Sequence, residues 1–135
     1  MKTKLFFVFS VIAIGIMGAG FKVFQQSKPW PVPDKNAKMV NPVASNAESL
    51  KTGKELWGKH CQSCHGKTGL GDGTKSAELK TQPEDMTKAV VQNQSDGALF
   101  YKTSEGRDDM PSFKKKIPDQ DDIWSIVCYI RTFKK

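Results

Sequence analysis

The run Cys61-Gln62-Ser63-Cys64-His65 constrains this chain more than any other stretch of it. Two thiols three positions apart fall on one side of a helical turn, and an imidazole follows directly. Thiols so placed can each bond one of the two vinyl groups of a porphyrin. The adjacent His65 then lies under the metal, where a neutral imidazole nitrogen can bind iron. C-x-x-C-H is accordingly the attachment signature of c-type haem. Such a group would add a large apolar nucleus to a domain otherwise short of core.

The chain of 135 residues has room for one domain and divides into three regions. Residues 1–21 begin with Lys2 and Lys4 and continue as an apolar run from Leu5 to Phe21. This is expected to be a signal peptide or a membrane anchor: the run reaches only the short end of a spanning helix, and Gly18-Ala19-Gly20 is its best cleavage site. Lys2 and Lys4 favour a cytoplasmic N-terminus, so both forms place the remainder on the periplasmic side of the cytoplasmic membrane. No Cys adjoins the run, which argues against a lipoprotein anchor. Residues 22–44 read as an extended Pro-rich tether, because Pro29, Pro31, Pro33 and Pro42 each remove a helical N–H and push their predecessors toward extended geometry. Trp30 within it can dock on the domain or lie at a membrane interface.

Residues 45–135 carry the periodic apolar pattern. Ser45 and Glu48 form a capping box for a first helix that runs to about Gly58, with Leu50, Gly53 and Trp57 on one face. Gly53 is unfavourable inside a helix, so it implies the close approach of another backbone. Residues 66–88 read as a glycine-rich loop, without the Lys-Ser/Thr ending of a phosphate cradle. Ser95 caps a second helix over 96–103, and Gly106 follows it. In the last helix Asp119 is the cap, Asp121 and Asp122 suit the first turn, and Ile123, Ile126, Val127 and Ile130 recur at helical spacing. The expectation is an all-α fold of three main helices, without strands or repeats.

Two of the three cysteines belong to the motif, and Cys128 reads as a small buried hydrophobe in the last helix. The 21 basic residues include Lys2 and Lys4, so 19 remain against 14 acidic ones beyond the first region. That moderate excess suits steering toward an acidic partner, and no interleaving of aromatic and basic residues suggests nucleic acid.

A six-coordinate iron needs a second axial ligand opposite His65. His60 is on the wrong turn of the same helix and reads as a surface residue. Met110 is the leading candidate: it falls between the second and third helices, and Pro111 holds it extended, as suits a ligand presented from a loop. Met86 is the alternative. A thioether stabilises ferrous iron and raises the reduction potential, and filled axial positions point to electron transfer rather than catalysis.

From these residues the chain resembles the class I mono-haem cytochromes c, in particular exported or membrane-anchored bacterial ones. Gly53-Lys-Glu-Leu-Trp57, ending four residues before Cys61, is similar to that family's first helix. Ile126-Val-Cys-Tyr-Ile-Arg131 is similar to its last. The resemblance covers about residues 46–135. It implies the small cytochrome c fold in 45–135, with Gly53 and Trp57 meeting Ile126 and Tyr129 where the helices cross. It further implies one covalent haem c on Cys61 and Cys64, with iron between His65 and Met110, and a single-electron carrier between respiratory-chain partners rather than an enzyme. A carbonyl in 69–83, such as that of Pro83, would orient His65. Arg107 and Trp124 are candidates for the haem carboxylates. Lys59, Lys67 and Lys114 to Lys116 would rim the haem edge and face acidic docking surfaces on redox partners. The rival readings are a haem-based peroxidase or gas sensor with an open sixth position, a fixed subunit of a respiratory complex, and a zinc module built from Cys61, Cys64, His65 and Cys128.

Overall fold

Asn46, rather than Ser45, starts the first long helix. Its backbone is extended, at φ −133° and ψ 179°, and its side-chain oxygen accepts from the Glu48 and Ser49 amides at 3.0 Å each. Ser49 Oγ in turn accepts from the Asn46 amide at 3.0 Å, so the capping box is Asn46/Ser49. An Asn carbonyl reaches two amides at once, which a Ser45 hydroxyl one residue further out does not.

The structure is a computed structural model that describes residues 29–135. The helices in it are α1 (Asp34–Ala37), α2 (Ala47–His60), α3 (Gln62–His65), α4 (Ala89–Gln92), α5 (Asp96–Glu105) and α6 (Gln120–Arg131), with one 3₁₀ turn at Ser76–Glu78. The long ones, α2, α5 and α6, are the three expected from the sequence. No strand occurs among the described residues, only an isolated antiparallel bridge between Arg107 and Met110. The fold is therefore all-α. No helix among the described residues is long and apolar enough to cross a membrane. The expected signal or anchor at 1–21, and the first part of the expected tether at 22–28, lie outside them.

Helices α2 and α6 cross at Gly53. A Cβ there would fall on the Ser125 carbonyl and within 2.9 Å of Tyr129 Cβ, so only a glycine lets the two backbones come this close. One turn on, Trp57 packs edge-on against Tyr129 and Phe133, with ring centroids 6.1 and 5.1 Å away. Its indole Nε1 donates to the Gly66 carbonyl at 3.0 Å, which satisfies the ring's one polar atom. Thus Gly53 and Trp57 meet Ser125 and Tyr129, while Ile126 belongs to the same core one residue along. Helix α6 is capped by Asp119, which accepts from the Asp121 amide at 3.0 Å. It buries Ile123, Ile126, Val127 and Ile130, each contributing about 1.5–3 kcal/mol by leaving water.

Helix α5 is capped by Ser95 as expected and continues to Glu105. Arg131, at the end of α6, donates to Asp96 Oδ1 at 2.8 and 2.7 Å and to the Gln92 carbonyl at 2.8 Å. The ion pair is partly exposed and contributes little as a charge interaction. Its backbone contact fixes where α6 meets the α4–α5 corner.

The Pro-rich segment departs from its expected form. Over 29–44 it is not a free tether but a strap against the domain. It contains α1, which the sequence does not reveal. Asn41 Nδ2 donates to the Trp124 carbonyl at 3.4 Å and to Cys128 Sγ at 3.3 Å, while Met39 and Val43 pack on the core. Ser95 Oγ donates to the Ala37 carbonyl at 2.6 Å. Cys128 is buried as expected, here beneath the strap.

Gly53→Ala tests the crossing. Alanine favours an isolated helix by about 1 kcal/mol. The methyl must force the crossing open, which costs about 1–3 kcal/mol or more. Thermal unfolding of the haem-loaded variant is expected to show a net loss of stability, with Tm lower by several degrees.

Candidate haem site

Helix α2 ends where the motif begins. Cys61 caps α2, its amide donating to the Trp57 carbonyl at 2.9 Å, and the turn continues as α3. The Cys64 and His65 amides both donate to the Cys61 carbonyl, at 3.1 and 2.9 Å. This bond pattern places Cys61, Cys64 and His65 around one turn, as the spacing predicts. Gly66, at φ +82°, then takes the chain away from the helix.

All three side chains line one cavity of about 440 Å³, within the range of small-molecule and cofactor sites. Leu79, Val91, Leu99, Phe113 and Ile130 make its apolar walls. Met110 and Met86 both line it as well, so the structure brings together every ligand candidate that the sequence raised. The two methionines arrive differently. The Met86 amide donates to the Gly69 carbonyl at 2.7 Å, and the Gly71 amide donates to the His65 carbonyl at 2.9 Å. Met86 is thereby tied to the loop that leaves His65.

Met110 stands on a separate hairpin. Its amide and carbonyl pair with those of Arg107, at 2.9 and 2.8 Å, across a turn in which Asp108 takes φ +51°. Gly106, at φ +69°, lets the hairpin fold back over 110–112, where a Cβ would collide with three backbone atoms. Asp109 Oδ2 accepts from the Lys80 and Thr81 amides at 2.8 and 3.2 Å, which joins the hairpin to the 79–84 stretch of the lining.

His65 is held in a form suited to a metal. Burial lowers its pKa to about 4, so the ring is neutral at ordinary pH and keeps a nitrogen lone pair. The ring lies 5.7 Å from that of Trp57. Its Nδ1 is buried and has no hydrogen-bond partner, so neither Pro83 nor another carbonyl of 69–83 orients it as expected. The Pro83 carbonyl instead faces Gly71. Burial, and to a lesser degree the neighbouring Cys64, push the Cys61 thiol up to about 12. It is a protonated thiol beside the cavity and not a preformed thiolate site. Two thiols, a neutral imidazole and a thioether on apolar walls fit a covalently attached haem. Cys128 lies elsewhere, under Asn41, and among the described residues no cluster of His, Cys, Asp and Glu could hold a metal ion. This removes the zinc alternative.

Other expected residues divide. Arg107 lines the cavity. Trp124 does not: it is stacked on Phe100, centroids 4.0 Å apart, and is 2% exposed in the core. His60 is not a plain surface residue, since it lines the cavity and packs edge-on against Phe113 at 5.8 Å. Of the lysines, Lys114 is ion-paired with Glu105, while Lys116 Nζ lies 5.5 Å from the Phe113 ring centroid at the cavity wall. The sequence reading missed α4, whose Val91 forms part of the wall. Four residues are too few to show a period.

Residues 48–130 match the family described as cytochrome c oxidase, cbb3-type, subunit III. Among solved structures, one similar chain is from the Kuenenia stuttgartiensis reducing HAO-like protein complex Kustc0457/Kustc0458. It has a TM-score of 0.62 and 22% identity, over 82% of this chain and 53% of that one. The present chain thus spans about half the length of that relative, and at this identity the likeness is one of fold. Another is the KustC0563 c-type cytochrome, with a TM-score of 0.54 and 28% identity over 62% of this chain and 98% of that one. No curated protein matches.

Replacing Cys61 and Cys64 together by Ala is expected to abolish covalent haem. Haem staining of a denaturing gel checks this, and a stained band from the double variant would contradict the assignment.

Proposed function

The chain belongs to the cbb3-type cytochrome c oxidase subunit III family, a mono-haem class I cytochrome c carrying covalent c-type haem, and from that premise we propose that it is a single-electron carrier working between respiratory-chain partners on the outer face of the cytoplasmic membrane. Cys61 and Cys64 hold the haem, and His65 and Met110 are the axial ligands. The bound haem supplies a ferrous/ferric couple.

The observation that carries this reading is that His65 and Met110 line one cavity from separately built supports. The neutral His65 follows α2, while Met110 is presented by a hairpin braced at both Arg107 and Asp109. Met86 belongs to the His65 side by its bond to Gly69. With Met110 as sixth ligand, the position that a peroxidase or sensor keeps open would be taken. Apolar walls together with a thioether favour the ferrous state. Redox protein partners with acidic surfaces suit the exposed lysines around His60 and Phe113, since weak redox encounters rely on small interfaces and electrostatic steering. Lys114 contributes less than its neighbours because Glu105 already offsets its charge. The N-terminal apolar run supports the periplasmic location, as a retained anchor or a cleaved signal.

A second reading is favoured by the family's own description as an oxidase subunit: the chain is a fixed component of a respiratory complex. It changes the partner and not the chemistry. Native extraction from membranes separates the two, because a fixed subunit migrates with its complex and a carrier does not.

Optical spectra test the ligand assignment. Met110→Ala is expected to lose the far-red Met-to-iron charge-transfer band of the oxidised protein and to lower the reduction potential, whereas Met86→Leu keeps both. Electron exchange with an acidic partner is expected to slow as ionic strength rises. That dependence weakens when Lys59, Lys67, Lys115 and Lys116 become Gln, and a salt-independent rate would refute the docking surface.

A further inference from the structure

The strap over 29–44 lies outside the residues that the family description matches, and it ends at the cavity. Its course is built in. Asn41 holds it to α6, and Ser95 holds Ala37. Gly97 has no side chain where the strap crosses α5: a Cβ there would collide with the Asn36 carbonyl and lie 2.8 Å from that of Met39. From α1 the chain runs back to Trp30 and Pro29, both of which line the cavity mouth.

There Trp30 meets two cations. Arg107 Cζ lies 4.6 Å from the ring centroid and Lys102 Nζ 5.5 Å from it. Arg107 Nη1 also donates to the Pro29 carbonyl at 3.0 Å. The two like charges repel, and their contacts with the ring's π electrons offset that repulsion. The same Arg107 is paired through its backbone, in both directions, with Met110. A single residue therefore joins the end of the strap to the sixth-ligand hairpin.

We propose that Trp30 is a positioning residue for the sixth ligand: the strap seats its ring on the cavity mouth, and Arg107 carries that seating to Met110. The inference rests on the reading of Met110 as the axial ligand. With the ring in place, the hairpin has little freedom to swing and the thioether stays on the iron. Without it, Arg107 loses a face to pack on, and the hairpin samples open positions.

The test uses the full-length, haem-loaded protein. Wild type, Trp30→Ala, Trp30→Leu, Trp30→Phe and Met110→Ala are compared by the far-red charge-transfer band, the reduction potential, and the rate at which the ferrous protein binds carbon monoxide. Trp30→Ala is expected to bind covalent haem normally, with a weaker band, a lower potential and carbon monoxide binding faster by about tenfold. A tenfold change corresponds to ~1.4 kcal/mol, within the range of such a contact. Trp30→Phe, which keeps a ring face, should restore much of the wild-type behaviour, and Trp30→Leu should not. If Trp30→Ala matches wild type while Met110→Ala loses the band, the positioning role is wrong and the ligand assignment stands. A band that survives Met110→Ala overturns both. Should Trp30→Ala fail to mature, equal behaviour of the Phe and Leu variants overturns the proposal, and a Phe-only rescue supports it.

Discussion

The contact on which the rest of this fold depends is the approach of the α2 backbone to α6 at Gly53. Helix α2 ends in the haem motif, so its position against α6 fixes where Cys61, Cys64 and His65 stand. Trp57 links the two, one turn from Gly53 and one turn from Cys61. Its ring faces Tyr129 and Phe133 on one side and the His65 imidazole on another. An error in the crossing is thus passed to His65 through a single rigid side chain. A close-packed interior has few ways to absorb such a shift.

The other half of the cavity is made differently. Its lips come from loops, and they are held by side-chain bonds to backbone amides instead of helix packing. Asp109 Oδ2 accepts from the amides of Lys80 and Thr81 at 2.8 and 3.2 Å. The two sides of the cavity are thus built from different kinds of contact. The His65 side is carried by a helix crossing, and the Met110 side by a hairpin of four residues.

Much of this was legible in the chain. The motif specified its own geometry because five consecutive residues suffice for one turn. Helix α6 was clear because twelve residues show their period, and Gly53 was informative because a glycine in a helix needs a reason. The cap at Asn46 was missed by one position, since Ser45 and Asn46 are both good caps and only the extended backbone at Asn46 decides between them. The strap was illegible for a deeper reason. Prolines report the local backbone, whereas docking depends on Asn41, Ser95 and Gly97, which are distant in sequence and individually ordinary. Trp124 misled for the same reason: its partner Phe100 lies on another helix. The empty hydrogen-bonding position at His65 Nδ1 also could not be foreseen, because it depends on where loop carbonyls point.

Cys128 gives the docked strap a further consequence. The chain has three thiols and a use for two. In the folded protein Cys128 is 4% exposed, beneath Asn41 and close to the Val43 carbonyl, and so is withdrawn from thiol exchange. Burial here acts as a protecting group in the synthetic chemist's sense. Cys61 is buried too, but on the wall of the haem cavity, so what separates the thiols is which surface each is buried against.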